Sequence, residues 1–413
     1  MLGRAFESLT YNAELAGLFV KLAGLFRPQD TLNGNKGIYG FNEHNDKTAQ
    51  VLQWTRTSSG PLGNLHTRQQ RTETNQANEH KSTLPSNFKQ LAMVSLRHIQ
   101  DSNRSRTAQP KTAVFVGATS GIGLAAIKCL LRATTGSRLF IVGRSLATFG
   151  SQLSQLQAID TGATITIIEA QISLLKEVKR TCAVILKDAP SLDLLWLSQG
   201  GLGLRERDSL TDEGLPVDFA VSFYGRILFM RELAPLIAKS TDGRVLSVLC
   251  AGMEGRVNIA DPGLRQEENY AAAGFWGAQK QGVTMMSLVM QELAAQHPTV
   301  SFIHTNPGMV STDVHEKWSA MFTGRWTPLA WLIKILLIPL TYLVGFTPDQ
   351  AGETGVFEIL DEKFCSQTHK NFFRLDEHAA EVGNAGRRIL EDYCNDGTGR
   401  RICEHTWDVF SDV

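Results

Sequence analysis

Residues 111–123 read KTAVFVGATSGIG. The apolar run at its start is typical of a buried strand in a parallel sheet. Gly117, Gly121 and Gly123 then follow with the spacing G-x-x-x-G-x-G. In this pattern the first glycine permits a tight turn, the second lets the backbone approach a pyrophosphate, and the third allows close packing of helix on strand. The stretch therefore predicts a strand–turn–helix unit that binds a dinucleotide at a helix N-terminus.

Further apolar runs follow this one and alternate with helical stretches. They are RLFIVGRS from Arg138, ATITIIEA, LDLLWLSQGG from Leu192, GRVLSVLC from Gly243 and VSFIHTNPG from Val300. Between them, Phe219 to Ile237 and Gly282 to Ala295 carry apolar residues at helical spacing. Strands that alternate with helices form βαβ units and a parallel sheet. We predict an α/β fold, a doubly wound parallel sheet of the Rossmann type, as a single domain over residues 93–413.

The N-terminal part of the chain has a different composition. Residues 28–90 are rich in Asn, Gln, Thr, Ser and Gly, so they cannot bury enough apolar surface to offset chain entropy. We predict that residues 1–92 form a poorly ordered extension, and that a chain starting at Met93 keeps its thermal midpoint. A basic interaction tail is the alternative, because residues 51–110 hold eight Lys and Arg against three Asp and Glu.

The composition also bears on partners and compartment. The chain has 413 residues and a formal net charge of zero, which argues against a nucleic-acid partner. Its six cysteines are scattered without a C-x-x-C pair, so the spacing of a paired metal site is absent. We expect no metal site and a reducing, cytoplasmic location, since no secretory signal is visible.

The residue after the second predicted strand bears on the choice of cofactor. Arg144 lies 21 residues past Gly123, where a dinucleotide-binding fold places its ribose discriminator. An acidic residue at this place accepts hydrogen bonds from the 2′-OH of NAD, whereas an arginine pairs with the 2′-phosphate of NADP. We therefore expect NADP(H), and a solvated surface arginine is the alternative.

GATSGIG, GRS and Asn306-Pro307-Gly308 resemble the short-chain dehydrogenase/reductase family over residues 110–360. The resemblance implies an oxidoreductase with a nicotinamide cofactor. RVLSVLCAGMEG is similar to a divergent fungal branch often found near secondary-metabolite genes. By the same resemblance, Pro307 and Gly308 line the nicotinamide pocket and Thr312 contacts the carboxamide or the phosphates. The cofactor-binding residues that we expect are Gly117, Thr119, Ser120, Gly121, Ile122, Gly123, Arg144, Gly200, Lys280, Pro307, Gly308 and Thr312.

The family's catalytic set of Asn, Ser, Tyr and Lys is degenerate in this chain. In the family the Tyr exchanges a proton with the substrate oxygen, and a Lys four residues later lowers the Tyr pKa. Lys280 matches the Lys, but Trp276 stands at the Tyr position, and its indole N–H does not titrate usefully. Cys250 stands at the Ser position and Ser222 at the Asn position. The candidates for catalysis are then Lys280, Tyr270, Ser247 and Ser222.

Two readings of this pattern remain open. Tyr270 lies ten residues before Lys280, about 15 Å along one straight helix, so it could serve as the acid if it sits in a loop folded over the pocket. The leading hypothesis is an NADPH-dependent oxidoreductase acting on a hydrophobic carbonyl or alcohol. The alternative is a non-redox member of the fold, as a cofactor-binding scaffold, isomerase or cyclase, because Trp276 replaces the tyrosine.

Residues 328–346 read PLAWLIKILLIPLTYLVGF, which is 19 residues with one charge, Lys334. The segment just approaches the length of a spanning helix, but Pro339 and Lys334 weaken that interpretation. In the family this region forms the substrate lid, so an apolar lid over about 314–350 predicts a hydrophobic small-molecule substrate. An interfacial helix with peripheral membrane contact is the alternative. A homo-oligomer is also compatible with the sequence.

Overall fold

The computed structural model describes residues 94–145, 149–200, 210–311, 345–366 and 370–412. All of them belong to one of the two units into which the chain divides, Lys89–Val413. The predicted extension over residues 1–92, Thr312 and nearly all of the apolar segment 328–346 lie outside the described residues, so the expectations for them stay predictions.

The described chain is built on one seven-stranded parallel sheet with the order β3-β2-β1-β4-β5-β6-β7. This confirms the predicted α/β fold with a doubly wound sheet. The strand order reverses between β1 and β4, which is where such folds bind their ligands. The strands are β1 Thr112–Val116, β2 Arg138–Gly143, β3 Thr164–Glu169, β4 Leu194–Leu197, β5 Gly243–Val248, β6 Val300–Thr305 and β7 Phe372–Leu375.

Helices cover both faces of the sheet, and each face has its own apolar core. Because both faces are buried, β1 and β4 at the centre of the sheet are almost entirely apolar rather than alternating. The helices are α1 Leu96–Ser105, α2 Gly121–Ala133, α3 Gly150–Ile159, α4 Leu175–Asp188, α5 Gly225–Ile237, α6 Glu267–Gln296, α7 Pro348–Leu360, α8 Arg387–Asn395 and α9 Thr398–Ser411. A short helix Val217–Phe219 and a π-helical turn Ala220–Tyr224 lead into α5.

Helix α6 is broken near its start. Gly274 has φ 62° and ψ 174°, which is not a helical conformation, so the chain changes direction there. Tyr270 lies before this break, and Trp276 and Lys280 lie after it. The spacing of a straight helix therefore does not apply to Tyr270 and Lys280.

Among the helices of the described ranges, none is both long and apolar enough to span a bilayer.

Candidate active site

The glycine turn has the backbone that the sequence predicts. Gly117 and Gly121 have φ of +74° and +57°, in the left-handed region that disfavours side chains. A Cβ at Gly123 would lie 2.6 Å from the Cβ of Ala118 and from Oγ of Ser198. Ser120 precedes α2 without a side-chain hydrogen bond to its first turn. The loop thus presents the N-terminus of α2 with a bare backbone, as a phosphate site requires.

Arg144 lies at the carboxyl end of β2, directly after Gly143, and its side chain is exposed. The glycine turn packs beside this strand end, because a Cβ at Gly143 would lie 2.6 Å from Cγ2 of Thr119. Ile122, the second residue of α2, packs partly buried against the core. Arg144 and the glycine turn therefore share one edge of the sheet.

The end of β4 closes against the glycine turn. The Ser198 hydroxyl donates to the carbonyl of Gly117 at 3.2 Å. A Cβ at Gly117 would overlap the backbone of Gln199, so that glycine is required by close approach as well as by its φ. Gly200 follows with φ +95°, and a Cβ there would lie 3.5 Å from Cβ of Ser222. The Ser222 hydroxyl itself donates to the carbonyl of Asp218 at 2.5 Å.

A buried arginine joins the carboxyl ends of β4 and β5. One guanidinium nitrogen of Arg226 donates to Leu197 O at 3.1 Å, to Val248 O at 2.8 Å and to the Ser247 hydroxyl at 2.9 Å, and another donates to Gln199 O. Both Arg226 and Ser247 are buried, and burial lowers the pKa of Arg226 to about 9. Arg226 was not predicted from the sequence, although a lone cation inside the apolar run YGRILFM was a visible signal.

Lys280 lies where the segment after β5 docks on α6. A Cβ at Gly255 would lie 2.8 Å from Cβ of Lys280, and the Thr284 hydroxyl, one turn later, bonds both the N–H and the carbonyl of Gly255. Cys250, at the start of that segment, is partly buried, and burial raises the pKa of its thiol to about 11. The Cys250 thiol is therefore neutral near pH 7 and is a poor nucleophile.

The aromatic residues near the proposed site, Tyr270, Trp276 and Tyr224, differ in their burial and contacts. Tyr270 packs, partly buried, against the apolar core on the α6 side of the sheet, and Trp276 is also partly buried. A second tyrosine, Tyr224, is fully buried, and its hydroxyl lies 2.8 Å from Nε2 of His405. Burial raises the pKa of Tyr224 above its ordinary value. The bond to His405 directs the Tyr224 hydroxyl toward the C-terminal helix α9.

The turn after β6 has the shape expected of a ligand-lining loop. Gly308 has φ +70°, and its N–H donates to the Asn306 side-chain oxygen at 3.1 Å. A Cβ at Gly308 would lie 3.0 Å from Cβ of Glu377. Pro307 and Gly308 are partly buried at the same sheet edge as the glycine turn.

A buried polar chain crosses beneath α6, and sequence reasoning did not find it. Arg374 on β7 pairs with Glu254 at 2.6 Å, the Ser287 hydroxyl donates to Glu254 at 2.9 Å, and the same hydroxyl lies 2.9 Å from Nδ1 of His304. Burial, with Arg374 and Arg226, lowers the pKa of His304 to about 3, so its imidazole is neutral. Residues this far apart in sequence gave no local pattern.

The site fits a dinucleotide on its own geometry. Two left-handed glycines, an uncapped helix N-terminus and an exposed arginine lie along one sheet edge. When bound, a nicotinamide dinucleotide supplies the hydride-transfer chemistry. The chain's own residues would bind the phosphates at Gly121 and Ser120, while Lys280 lies on α6 and the Pro307–Gly308 turn follows the end of β6. These features define a protein of the dinucleotide-binding, doubly wound class.

Comparison with known proteins assigns the family. A family model described as short chain dehydrogenase matches residues 111–322. "Oxidoreductase AN1596" of Emericella nidulans is 39% identical over 54% of this chain and 66% of its own length. "NmrA-like family domain-containing oxidoreductase notO" of an Aspergillus species is 32% identical over 64% of this chain and 84% of its own length. The chain belongs to the short-chain dehydrogenase/reductase family and is an oxidoreductase of that type.

Solved structures match at lower identity. L-Sorbose reductase from Gluconobacter frateurii, complexed with NADPH and L-sorbose, is 15% identical, covers 66% of this chain and 97% of its own, and has a TM-score of 0.47. NADPH-bound carbonyl reductase from chicken fatty liver is 16% identical, covers 66% of this chain and 99% of its own, and has a TM-score of 0.45.

Proposed function

We propose that this chain is an NADPH-dependent oxidoreductase that acts on a hydrophobic carbonyl or alcohol. The observation that carries the cofactor choice is Arg144, which is exposed at the end of β2 beside the glycine turn. A guanidinium at that place pairs with the 2′-phosphate of NADP(H), whereas NAD(H) offers a hydroxyl there.

The substrate class rests on the apolar segment over residues 328–346. If this segment forms the substrate lid, as the family resemblance implies, its Leu, Ile, Trp and Tyr side chains would exclude water and favour a lipophilic ligand. Similarity to fungal oxidoreductases is consistent with a role in fungal secondary metabolism, which we include in the proposal.

The experiment is to incubate the full chain with NADPH and a panel of lipophilic ketones and to follow the cofactor absorbance. Ketone-dependent loss of NADPH supports the proposal. Gly121→Asp is the negative control, because its carboxylate repels the pyrophosphate from the loop. Turnover that is as fast with Gly121→Asp as with the native chain would show that the activity comes from elsewhere.

The second candidate is a non-redox member of the fold, a scaffold, isomerase or cyclase. The observation that favours it is Trp276 at the position of the family's tyrosine, together with the neutral Cys250 thiol. Tight NADPH binding without oxidation by any ketone, even in a single turnover, would favour this candidate over the first.

A further inference from the structure

Gln199 is a buried amide that the fold does not satisfy. Its residue is 4% exposed, and within the described part of the chain neither Nε2 nor Oε1 has a hydrogen-bond partner. Burying an amide without partners is unfavourable, so such groups in folded proteins usually have a partner of another kind. By contrast, Gln281 is equally buried and fully engaged, with Nε2 donating to Pro262 O at 2.8 Å and Oε1 accepting from Asn258 N–H at 2.9 Å.

The backbone of Gln199 is fixed at the point where the strand order reverses. On one side it lies against Gly117, at a distance that leaves no room for a Cβ there. On the other side its carbonyl accepts a hydrogen bond from the buried Arg226. Because β1 and β4 are neighbours and the chain leaves the sheet in opposite directions on either side of them, this is the ligand-binding crevice of the fold.

We infer that the Gln199 side-chain amide is a cofactor-binding group that hydrogen-bonds a donor–acceptor group of the dinucleotide. Phosphate oxygens at neutral pH mainly accept hydrogen bonds, so they would leave Oε1 unsatisfied. A ribose hydroxyl or the nicotinamide carboxamide offers both a donor and an acceptor and can satisfy both atoms. The inference rests on the cofactor binding proposed above.

The test compares Gln199→Met with Gln281→Met, which remove the same amide from two buried sites. For each variant the thermal midpoint is measured without cofactor, and the Kd for NADPH is measured by titrating its fluorescence. Gln199→Met should raise the midpoint, because an unsatisfied amide is removed, and should raise the Kd about tenfold, because two hydrogen bonds to the ligand are lost. Gln281→Met should lower the midpoint and leave the Kd within about twofold.

Competition by adenosine 2′,5′-bisphosphate locates the contact. If Gln199→Met weakens this competitor as much as it weakens NADPH, the amide bonds the adenosine ribose. If the competitor binds as before, the amide bonds the nicotinamide half. Gln199→Ala, which also removes the amide, is used for the same comparison if the Met variant does not fold.

An unchanged Kd for Gln199→Met overturns the inference, and so does a variant in which both the midpoint and the affinity fall, since that is the signature of a packing role. If the native chain binds no NADPH, the proposed function fails and this inference fails with it. Equal binding by the native chain and Gln199→Met overturns the inference alone.

Discussion

The guanidinium of Arg226 donates a 2.9 Å hydrogen bond to the Ser247 hydroxyl, although both side chains lie in the core. The same arginine bonds the carbonyls of Leu197 and Val248, so one cation holds the ends of two neighbouring strands. No carboxylate pairs with it among the described residues, and its partners are neutral oxygens. The site therefore has a buried positive charge directly under its strand ends.

Replacing Arg226 by Met should strongly destabilise the protein. The substitution leaves several buried acceptors without donors, and we expect a loss of roughly 2–4 kcal/mol in the free energy of unfolding. Arg231→Met on the same helix is the control. The Arg231 guanidinium stacks on Trp407 at 5.1 Å near the surface, so its loss should lower the free energy of unfolding by less than about 1 kcal/mol. Urea denaturation measures both, and similar losses would contradict this account of Arg226.

Glu358 makes stability depend on pH. Burial raises the pKa of this carboxyl well above its ordinary value, and the Thr305 hydroxyl bonds one of its oxygens at 2.8 Å. Above about pH 4.5 the folded state therefore holds a proton that the unfolded state has released. As the pH rises further, the contribution of Glu358 to the free energy of unfolding falls. Glu358→Gln keeps the shape and the Thr305 bond but cannot ionise.

We expect Glu358→Gln to stabilise the protein at neutral pH, with a gain that grows by up to about 1.4 kcal/mol per pH unit above the unfolded pKa. Chemical denaturation of both chains at a pH of about 5, 6 and 7 measures how this gain changes with pH. Glu404→Gln, an exposed carboxylate on α9, is the control and should show no such trend. A gain that does not change with pH would argue against a protonated Glu358.

Arg144→Asp should reverse the cofactor preference. Its carboxylate repels the 2′-phosphate of NADPH but accepts a hydrogen bond from the 2′-OH of NADH. We expect the ratio of the two Kd values to change by at least about tenfold, as two charge-assisted contacts are lost. Arg138→Asp, at the other end of β2, controls for the change in net charge. Equal affinity of the native chain for both cofactors would remove the basis of this prediction.

The degenerate catalytic set can be tested at Tyr270. If this tyrosine supplies the proton, Tyr270→Phe should reduce turnover by about 10²–10⁴-fold and leave NADPH binding intact. If Tyr270 is structural, the substitution should leave the rate unchanged. Steady-state rates and NADPH titration, measured on the same samples, separate the two outcomes.

Lys280→Ala tests the placement of the helix. An ammonium that bonds the nicotinamide ribose should contribute roughly 1–3 kcal/mol to binding, so the NADPH Kd should rise by at least about fivefold. Lys239→Ala is the control, because Lys239 precedes the amino end of β5, on the side of the sheet opposite to the carboxyl strand ends. If Lys280→Ala binds NADPH as tightly as the native chain, the match of Trp276 and Lys280 to the family's helix is wrong.

The sequence predicted the parts of this molecule that depend on short-range patterns. The apolar strands and the glycine turn are contiguous, so six strands and the left-handed Gly117 and Gly121 could be read directly. Strand β7 was missed because its four residues, FFRL, include an arginine and form no apolar run. The break in α6 was missed because a single glycine, Gly274, also occurs in unbroken helices.

What joins distant segments could not be predicted. Arg226 acts on strand ends that lie 27 and 22 residues away, at Gln199 and Val248. The Gln199 amide has no hydrogen-bond partner among the described residues, and a sequence carries no record of such an absence. The catalytic residues remain predictions. Among them, the Ser222 and Ser247 hydroxyls already form hydrogen bonds within the protein.

The ion pair between Arg374 and Glu254 has a consequence for shortened forms of this chain. The Glu254 side chain is fully buried, and its counter-charge comes from β7, 120 residues further on. Any product that stops before β7, through proteolysis or a premature stop codon, would leave an uncompensated carboxylate inside the molecule. A chain shortened in this way would keep the nucleotide turn but could not complete its interior, so we expect it to be far less stable than the full chain.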